Sequence, residues 1–178
     1  MHQQKLRTRT CRATSIAGAP EVAEVDRSAN KMNQIDPASI VGEVPNLQGK
    51  RIDRLVLQEF WYSGKLEEEA NVSYLNIEGD WHRLYFDYGV IFWKESKEED
   101  MAIEPFEDDS GELNQFKLRD FGKEDGIEGK VIEAMTLESD TQTANVKMTF
   151  ADGSSLVFES IEDNTTLRAE PAASGQRR

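Results

Sequence analysis

The chain carries one pattern twice, and that constrains its fold before any single residue does. Gly49-Lys50-Arg51-Ile52-Asp53-Arg54-Leu55-Val56-Leu57-Gln58 aligns with Gly129-Lys130-Val131-Ile132-Glu133-Ala134-Met135-Thr136-Leu137-Glu138. Farther on, Ile77-Glu78-Gly79-Asp80 and Leu84-Tyr85-Phe86 align with Phe150-Ala151-Asp152-Gly153 and Leu156-Val157-Phe158. Each copy reads as a lead segment, a connection, and two strands around a tight turn. Neither half alone buries its apolar face, so the two are expected to pack on each other.

Local patterns fill in the halves. β-Branched Val131, Ile132 and Thr136 make the lead segments strands, with room for a bulge. Val72 to Ile77 and Trp81 to Asp87 alternate around Gly79-Asp80, the signature of a hairpin, and Val90-Ile91-Phe92-Trp93 follows as a further strand. In the second copy Val146, Met148 and Phe150 alternate into Asp152-Gly153, read as a two-residue type I′ turn, and Leu156 and Phe158 alternate out. Thr165-Thr166-Leu167 closes the pattern. The first copy has about seven extra residues around Ser63–Glu69, expected as a surface loop. Phe116–Phe121 reads as an edge strand.

The expected fold is mostly β. Two sequence-similar antiparallel meanders form a small sandwich or partly open barrel. Asp36-Pro37 followed by Gly42 adds a short N-terminal helical turn near 37–42. The domain reading is a poorly ordered extension over 1–47, one β-rich domain over 48–168, and a small, polar tail over 169–178. Within the domain, repeat 1 covers about 49–95, an acidic connector 96–128, and repeat 2 about 129–168. Met32 reads as an alternative start, which would leave 1–31 an upstream extension.

Charge narrows the partners. Residues 48–168 hold thirteen Lys/Arg against 28 Asp/Glu, a net of −15. Such a domain repels nucleic acid and anionic membrane and attracts basic proteins, although solubility alone also favours an acidic surface. The only cysteine, Cys11, lies in the extension, so the domain has no disulfide and no thiolate nucleophile. No apolar run reaches the roughly 18 residues of a membrane span, and a cytoplasmic location is expected.

No catalytic, metal or cofactor chemistry stands out. Glu107-Asp108-Asp109-Ser110-Gly111-Glu112 supplies oxygens and a glycine but not the alternate spacing of a Ca²⁺ loop. His82 sits beside a hairpin turn without a second histidine or a nucleophile motif, and reads as a surface histidine packed on Trp81 or Tyr85. Gly122 to Lys130 lacks phosphate-loop spacing. The acidic groups Glu67-Glu68-Glu69 and Glu107-Asp108-Asp109, with Trp81, His82 and Tyr85, are the partner-binding candidates. The aromatics supply rigid contact area and the acids steer a basic partner.

The small acidic domain, the stretch Asp80 to Trp93, and the closing Phe150-Ala151-Asp152-Gly153-Ser154-Ser155-Leu156-Val157-Phe158 resemble bacterial immunity proteins of polymorphic or contact-dependent toxin systems. The resemblance implies a non-enzymatic inhibitor bound to one cognate basic toxin. It carries over no catalytic residue and no cofactor. A small-ligand-binding or enzymatic β-barrel, with Trp81, Tyr85 and Trp93 lining a pocket, is the alternative. A structural β domain that forms a homodimer is a third.

Overall fold

The computed structural model describes residues 39–162 and 164–172. Eleven strands form two sheets within them: β1 (Ile40–Gly42), β2 (Ile52–Tyr62), β3 (Lys65–Ile77), β4 (Asp80–Asp87), β5 (Val90–Ser96), β6 (Phe106–Glu107), β7 (Leu113–Arg119), β8 (Ile132–Ser139), β9 (Thr143–Phe150), β10 (Ser155–Ile161) and β11 (Asn164–Glu170). The large sheet runs β1-β5-β4-β3-β2-β7-β6 and the small one β11-β10-β9-β8. All pairings are antiparallel except β1 with β5. There is no closed barrel among these strands.

The turns follow from residues that tolerate positive φ. Ser63-Gly64, Glu78-Gly79 and Tyr88-Gly89 have positive φ at both positions and join β2 to β3, β3 to β4 and β4 to β5 as two-residue loops. The β9–β10 turn differs from the expected type I′. Only Gly153 has positive φ, and Phe150 N–H bonds the carbonyl of Ser154, so the loop is the three residues Ala151-Asp152-Gly153. Asp152 instead accepts from the Ser154 backbone N–H (2.9 Å) and from the Ser154 hydroxyl. That bonding tightens the turn without a second left-handed residue.

The two sheets meet where the lead segments of β2 and β8 pair. Gly49 N–H donates to Ile132 O (2.8 Å), Ile132 N–H to Lys50 O (2.8 Å), Ile52 N–H to Lys130 O (3.0 Å) and Gly129 N–H to Ile52 O (2.8 Å). Adding 80 to 49, 50 and 52 gives 129, 130 and 132, and the four bonds then exchange among themselves. Both strands bulge immediately afterwards, between Ile52 and Arg54 and between Ile132 and Ala134. The bulges turn each strand into its own meander.

Alternation then builds one core. Leu55, Leu57, Leu75, Leu84, Ile91 and Trp93 of the large sheet and Val146, Met148, Phe150, Leu156 and Phe158 of the small sheet are fully buried in a single cluster. Leu47, Phe121 and Ile127 close its ends from the connections. The opposite face of the small sheet is charged and internally paired. Glu170 accepts from Lys147 (3.0 Å) and Ser155 (2.8 Å), and Arg168 pairs with Glu159 (3.0 Å).

Three expectations need correction. Asp36–Ala38 of the expected helical turn lies outside the described residues, but Ile40–Gly42 is a strand, paired parallel to Ile91–Trp93. Gly42, at φ +106°, is not a helix stop; a Cβ there would lie 1.8 Å from the Trp93 carbonyl oxygen. With Leu47 in the core, ordered structure begins upstream of residue 48. Secondly, Ser63–Glu69 is not a loop: apart from its turn it lengthens β3 to 13 residues. Thirdly, the connector 96–128 holds a 3-10 turn (Glu98–Met101), β6, β7 and α1 (Phe121–Glu124). β7 is the strand expected near Phe116, but β6 lies outside it, so it is not the edge.

Phe158→Ala should lower unfolding stability by about 3–5 kcal/mol, because it empties the shared core. Gly42→Ala should cost about 1–3 kcal/mol through strain and lost β1 pairing. Chemical denaturation measures both.

Candidate functional site

One end of the large sheet gathers both acidic groups of the sequence. β2 and β3 continue past the strands of the central meander to their turn at Ser63-Gly64, and β7 pairs with the same far half of β2, from Leu57↔Arg119 to Tyr62↔Asn114. β6 then pairs Phe106 with Asn114 and Glu107 with Leu113. The two hairpin tips are tied together. Ser63 N–H donates to the Leu113 carbonyl (2.9 Å), and the Ser63 hydroxyl donates to the Glu112 carboxylate. Glu67, Glu68 and Glu69, on β3, thereby lie at the same end of the sheet as Glu107, Asp108 and Asp109, about 40 residues away in sequence, with β2 and β7 between the two runs.

These six acids have different jobs. Asp108 is a structural residue of the β6–β7 turn. Its carboxylate accepts from Ser110 N–H (2.9 Å), Ser110 Oγ (2.6 Å) and Glu112 N–H (3.1 Å). Donation from the Ser110 hydroxyl first, then from the Glu112 N–H, holds its pKa below the ordinary carboxylate value. Glu69 is held by Arg119 (2.7 Å), whose guanidinium also lies near Glu124 (3.8 Å) and Glu59 (3.9 Å). Glu68 stands opposite Phe60. Glu67 contacts only its neighbour Lys65 (2.8 Å) and is exposed, as are Glu107 and Asp109. Such exposed ion pairs contribute little to stability. Glu67, Glu107 and Asp109 are the acids presented to solvent.

Apolar side chains lie among them. Phe106 is 51 % exposed, and Leu66, Ile103 and Leu113 also face solvent. Phe106 packs beside Phe116, which packs on Phe60 (5.4 Å between centroids). Trp61 donates to Glu59 (2.8 Å) and carries the Lys117 ammonium 3.6 Å from its ring centroid. By register Phe106 shares a face with Asn114 and Phe116, while Glu107, Leu113 and Leu66 take the opposite face, so acids and apolar side chains are exposed together on both faces of this sheet end. The sequence reading missed Phe106 and Leu66. Each was visible as a large apolar residue inside an acidic run, but the run was read for charge alone.

Trp81, His82 and Tyr85 do not join this end. All three lie on β4. Trp81 is half-buried on the face away from the small sheet, packed on Val56, Tyr74 and Met101 under the 3-10 turn, with Arg54 over its ring. Tyr85, on the same face, stacks on Phe92 at 4.6 Å and 8°. His82 is not a surface residue; it is 8 % exposed, and its ring lies 6.0 Å from Trp93. The register explains this. His82 pairs with Leu75, as Leu156 pairs with Met148, so His82 takes the inward place that Leu156 takes in the small sheet. Aligning Leu84 with Leu156 had been two residues out. Burial lowers the His82 pKa, and the nearby Asp80 and Glu95 carboxylates oppose that shift only in part.

Among the described residues, no group of three or more His, Cys, Asp and Glu is placed to hold a metal ion, and no helix is long and apolar enough to cross a membrane. One hollow of about 430 Å³ lies over Gly126, Gly129 and Phe150, with two carboxylates in its lining, Glu128 and Asp152, the second bonded to Lys130 (2.6 Å).

Burial disfavours the charged form of His82, so the imidazole binds a proton more readily when the chain is unfolded. Its contribution to stability is present above its ordinary pKa of 6.5 and is lost as pH falls below that value. His82→Leu should therefore flatten the fall in melting temperature between about pH 7 and pH 5, which thermal melts across that range would measure.

Comparison with protein-family models, curated proteins and solved structures found no match to this chain.

Proposed function

We propose that this is a non-enzymatic binding protein whose acidic sheet end docks on a basic protein. The observation that supports the reading is that exposed acids (Glu67, Glu107, Asp109) and exposed apolar side chains (Phe106, Leu66, Leu113) occur together at one end of the large sheet, on both of its faces. The acids raise the encounter rate with a cationic surface, and the apolar side chains supply contact area once docked. Hairpin tips are also shaped to enter a cleft rather than to surround a small molecule. In its sharpest form the protein is an immunity-type inhibitor that covers the cationic cleft of a toxin, as the likeness to bacterial immunity proteins implies. That role places it in the cytoplasm and gives it no catalytic residue.

The same reading takes the two meanders as copies of one unit. The exchange of junction bonds under an offset of 80 supports this, as does the shared Gly-Lys-x-Ile lead. On that view the first copy gained the long β2–β3 hairpin and β6–β7, and with them the binding end.

Parallel affinity captures test the proposal, using the wild type, a tip variant (E67K, E107K and D109K together) and a control reversed on the far sheet (Glu133→Lys). The expected result is a basic protein held at stoichiometric yield by wild type and control and lost by the tip variant. At low salt its association rate with the tip variant should fall at least about tenfold. Equal capture by all three proteins would overturn the assignment of the binding end.

A further inference from the structure

The face of the large sheet turned away from the core is divided by the chain that crosses it. After β5, residues 97–105 run over Trp81, Tyr74 and Gln58 toward β6. Arg54 bonds Glu98 (2.9 Å), Tyr74 O–H bonds the Asp100 carbonyl (3.2 Å) and Gln58 bonds the Met101 carbonyl (2.9 Å). Met101 is buried against Val56 and Tyr74. Beside that crossing lies the part of the face built from β4 and β5, where Arg83, Tyr85, Phe92 and Lys94 are half-buried.

Two cations and two stacked rings occupy this half-buried part. Arg83 and Lys94 are register partners, and so are Tyr85 and Phe92. The Arg83 guanidinium lies 5.9 Å from the Tyr85 ring, and the Lys94 ammonium 5.8 Å from Phe92 and 6.0 Å from Tyr85. Neither cation forms an ion pair among the described residues, and Arg83 Nε has no hydrogen-bond partner there. In a chain with 34 Asp/Glu against 21 Lys/Arg, two unpaired cations side by side on one sheet face are unexpected. The acids around them are Asp87, at the exposed end of β4, Asp100, which accepts from Ser96 on Lys94's face of β5 (3.2 Å), and Glu43, which follows β1 beside Lys94.

The chain itself carries the complement of this surface. The acidic end offers exposed carboxylates (Glu67, Glu107, Asp109) and an exposed ring (Phe106), while the β4–β5 face offers cations and rings. Within one molecule the two do not pair: Glu107 and Asp109 lie across β3, β2 and β7 from β4, and Glu67, on the length of β3 beyond its pairing with β4, bonds Lys65. We propose that the Arg83–Tyr85–Phe92–Lys94 face receives the acidic end of a second copy, so that the protein self-associates head to tail. Whole-molecule repulsion between two acidic chains is screened beyond about 8 Å at physiological salt, whereas the contacting pairs are not. The contact is heterologous, so successive copies add without closing. It rests on the same acidic end as the binding role, and a molecule engaged this way has that end covered.

Sedimentation velocity of the full chain from about 1 µM to about 1 mM tests this. The expected result is a weight-average mass that climbs past that of two chains. A face variant (R83S, K94S) and an end variant (E67Q, E107Q, D109N) should each stay monomeric, and their equimolar mixture should form a one-to-one pair that grows no further. A constant monomer mass for the wild type, or a closed dimer that survives both variants, overturns the proposal. Should the face variant melt early, K94S alone must still weaken association at least about threefold, and failure to do so also overturns it. The binding role fails separately. If the end variant keeps its basic partner but loses self-association, the end is a self-contact only. If it loses the partner while the wild type is monomeric at every concentration, the binding role stands and self-association falls.

Discussion

Everything in this structure hangs on four backbone hydrogen bonds between Gly49–Ile52 and Gly129–Ile132. They join the two sheets at their first residues, before either meander begins. Once Ile52 and Ile132 are fixed beside each other, the bulge that follows each one sends its strand to a different sheet, and both inward faces must converge on one core. A core shared in this way cannot form in halves. Phe158 and Leu84 come from different sheets yet are buried in the same cluster. Most of the hydrophobic stabilisation therefore comes from contacts far apart in sequence, as expected where two half-sheets are each too small to stand alone.

The rest of the large sheet is an addition to this frame. Its outer strands β1 and β6 have three and two residues, too short to offer long edges for unwanted pairing. The join between sheets is tight elsewhere too. The turn at Tyr88-Gly89 lies against the β8–β9 turn, where a Cβ on Gly89 would sit 2.2 Å from the Asp140 carbonyl oxygen, and the Ser139 hydroxyl bonds the Gly89 carbonyl. Glycine here serves two demands at once, positive φ and close approach. The acidic end of β2 and β3 continues past this core.

The sequence told much about strands and less about their neighbours. Alternation and turn residues placed β2, β4, β5, β8 to β11 and the Val72–Ile77 half of β3, because period-two patterns and Gly-containing turns are local. The acidic end was half legible. Both charge runs were recognised, but nothing local says that Tyr62 pairs with Asn114, which is what brings the runs together. His82 was misread for a related reason. Beside a turn, a histidine resembles a surface residue, and only the register with Leu75 puts it inside. Arg83 and Lys94 were invisible as a pair because cross-strand neighbours are eleven residues apart in the chain. An insertion such as Ser63–Glu69 reads as a surface loop, but pairing of its residues with the far half of β2 makes most of it strand.

The long β2–β3 hairpin has a discontinuity at its root. From Gln58 to Trp61 strand β2 advances three residues, while β3 spends six, from Val72 to Leu66. The surplus is taken up around Ala70, which turns into the core and pins the hairpin there. Beyond that anchor, side chains up to the Ser63-Gly64 turn add little to the shared interior. Selection on folding and selection on recognition consequently act on different residues. A lineage of such proteins is free to exchange the charge and shape of its outermost dozen positions while inheriting the same scaffold, and relatives would diverge fastest where they touch something else.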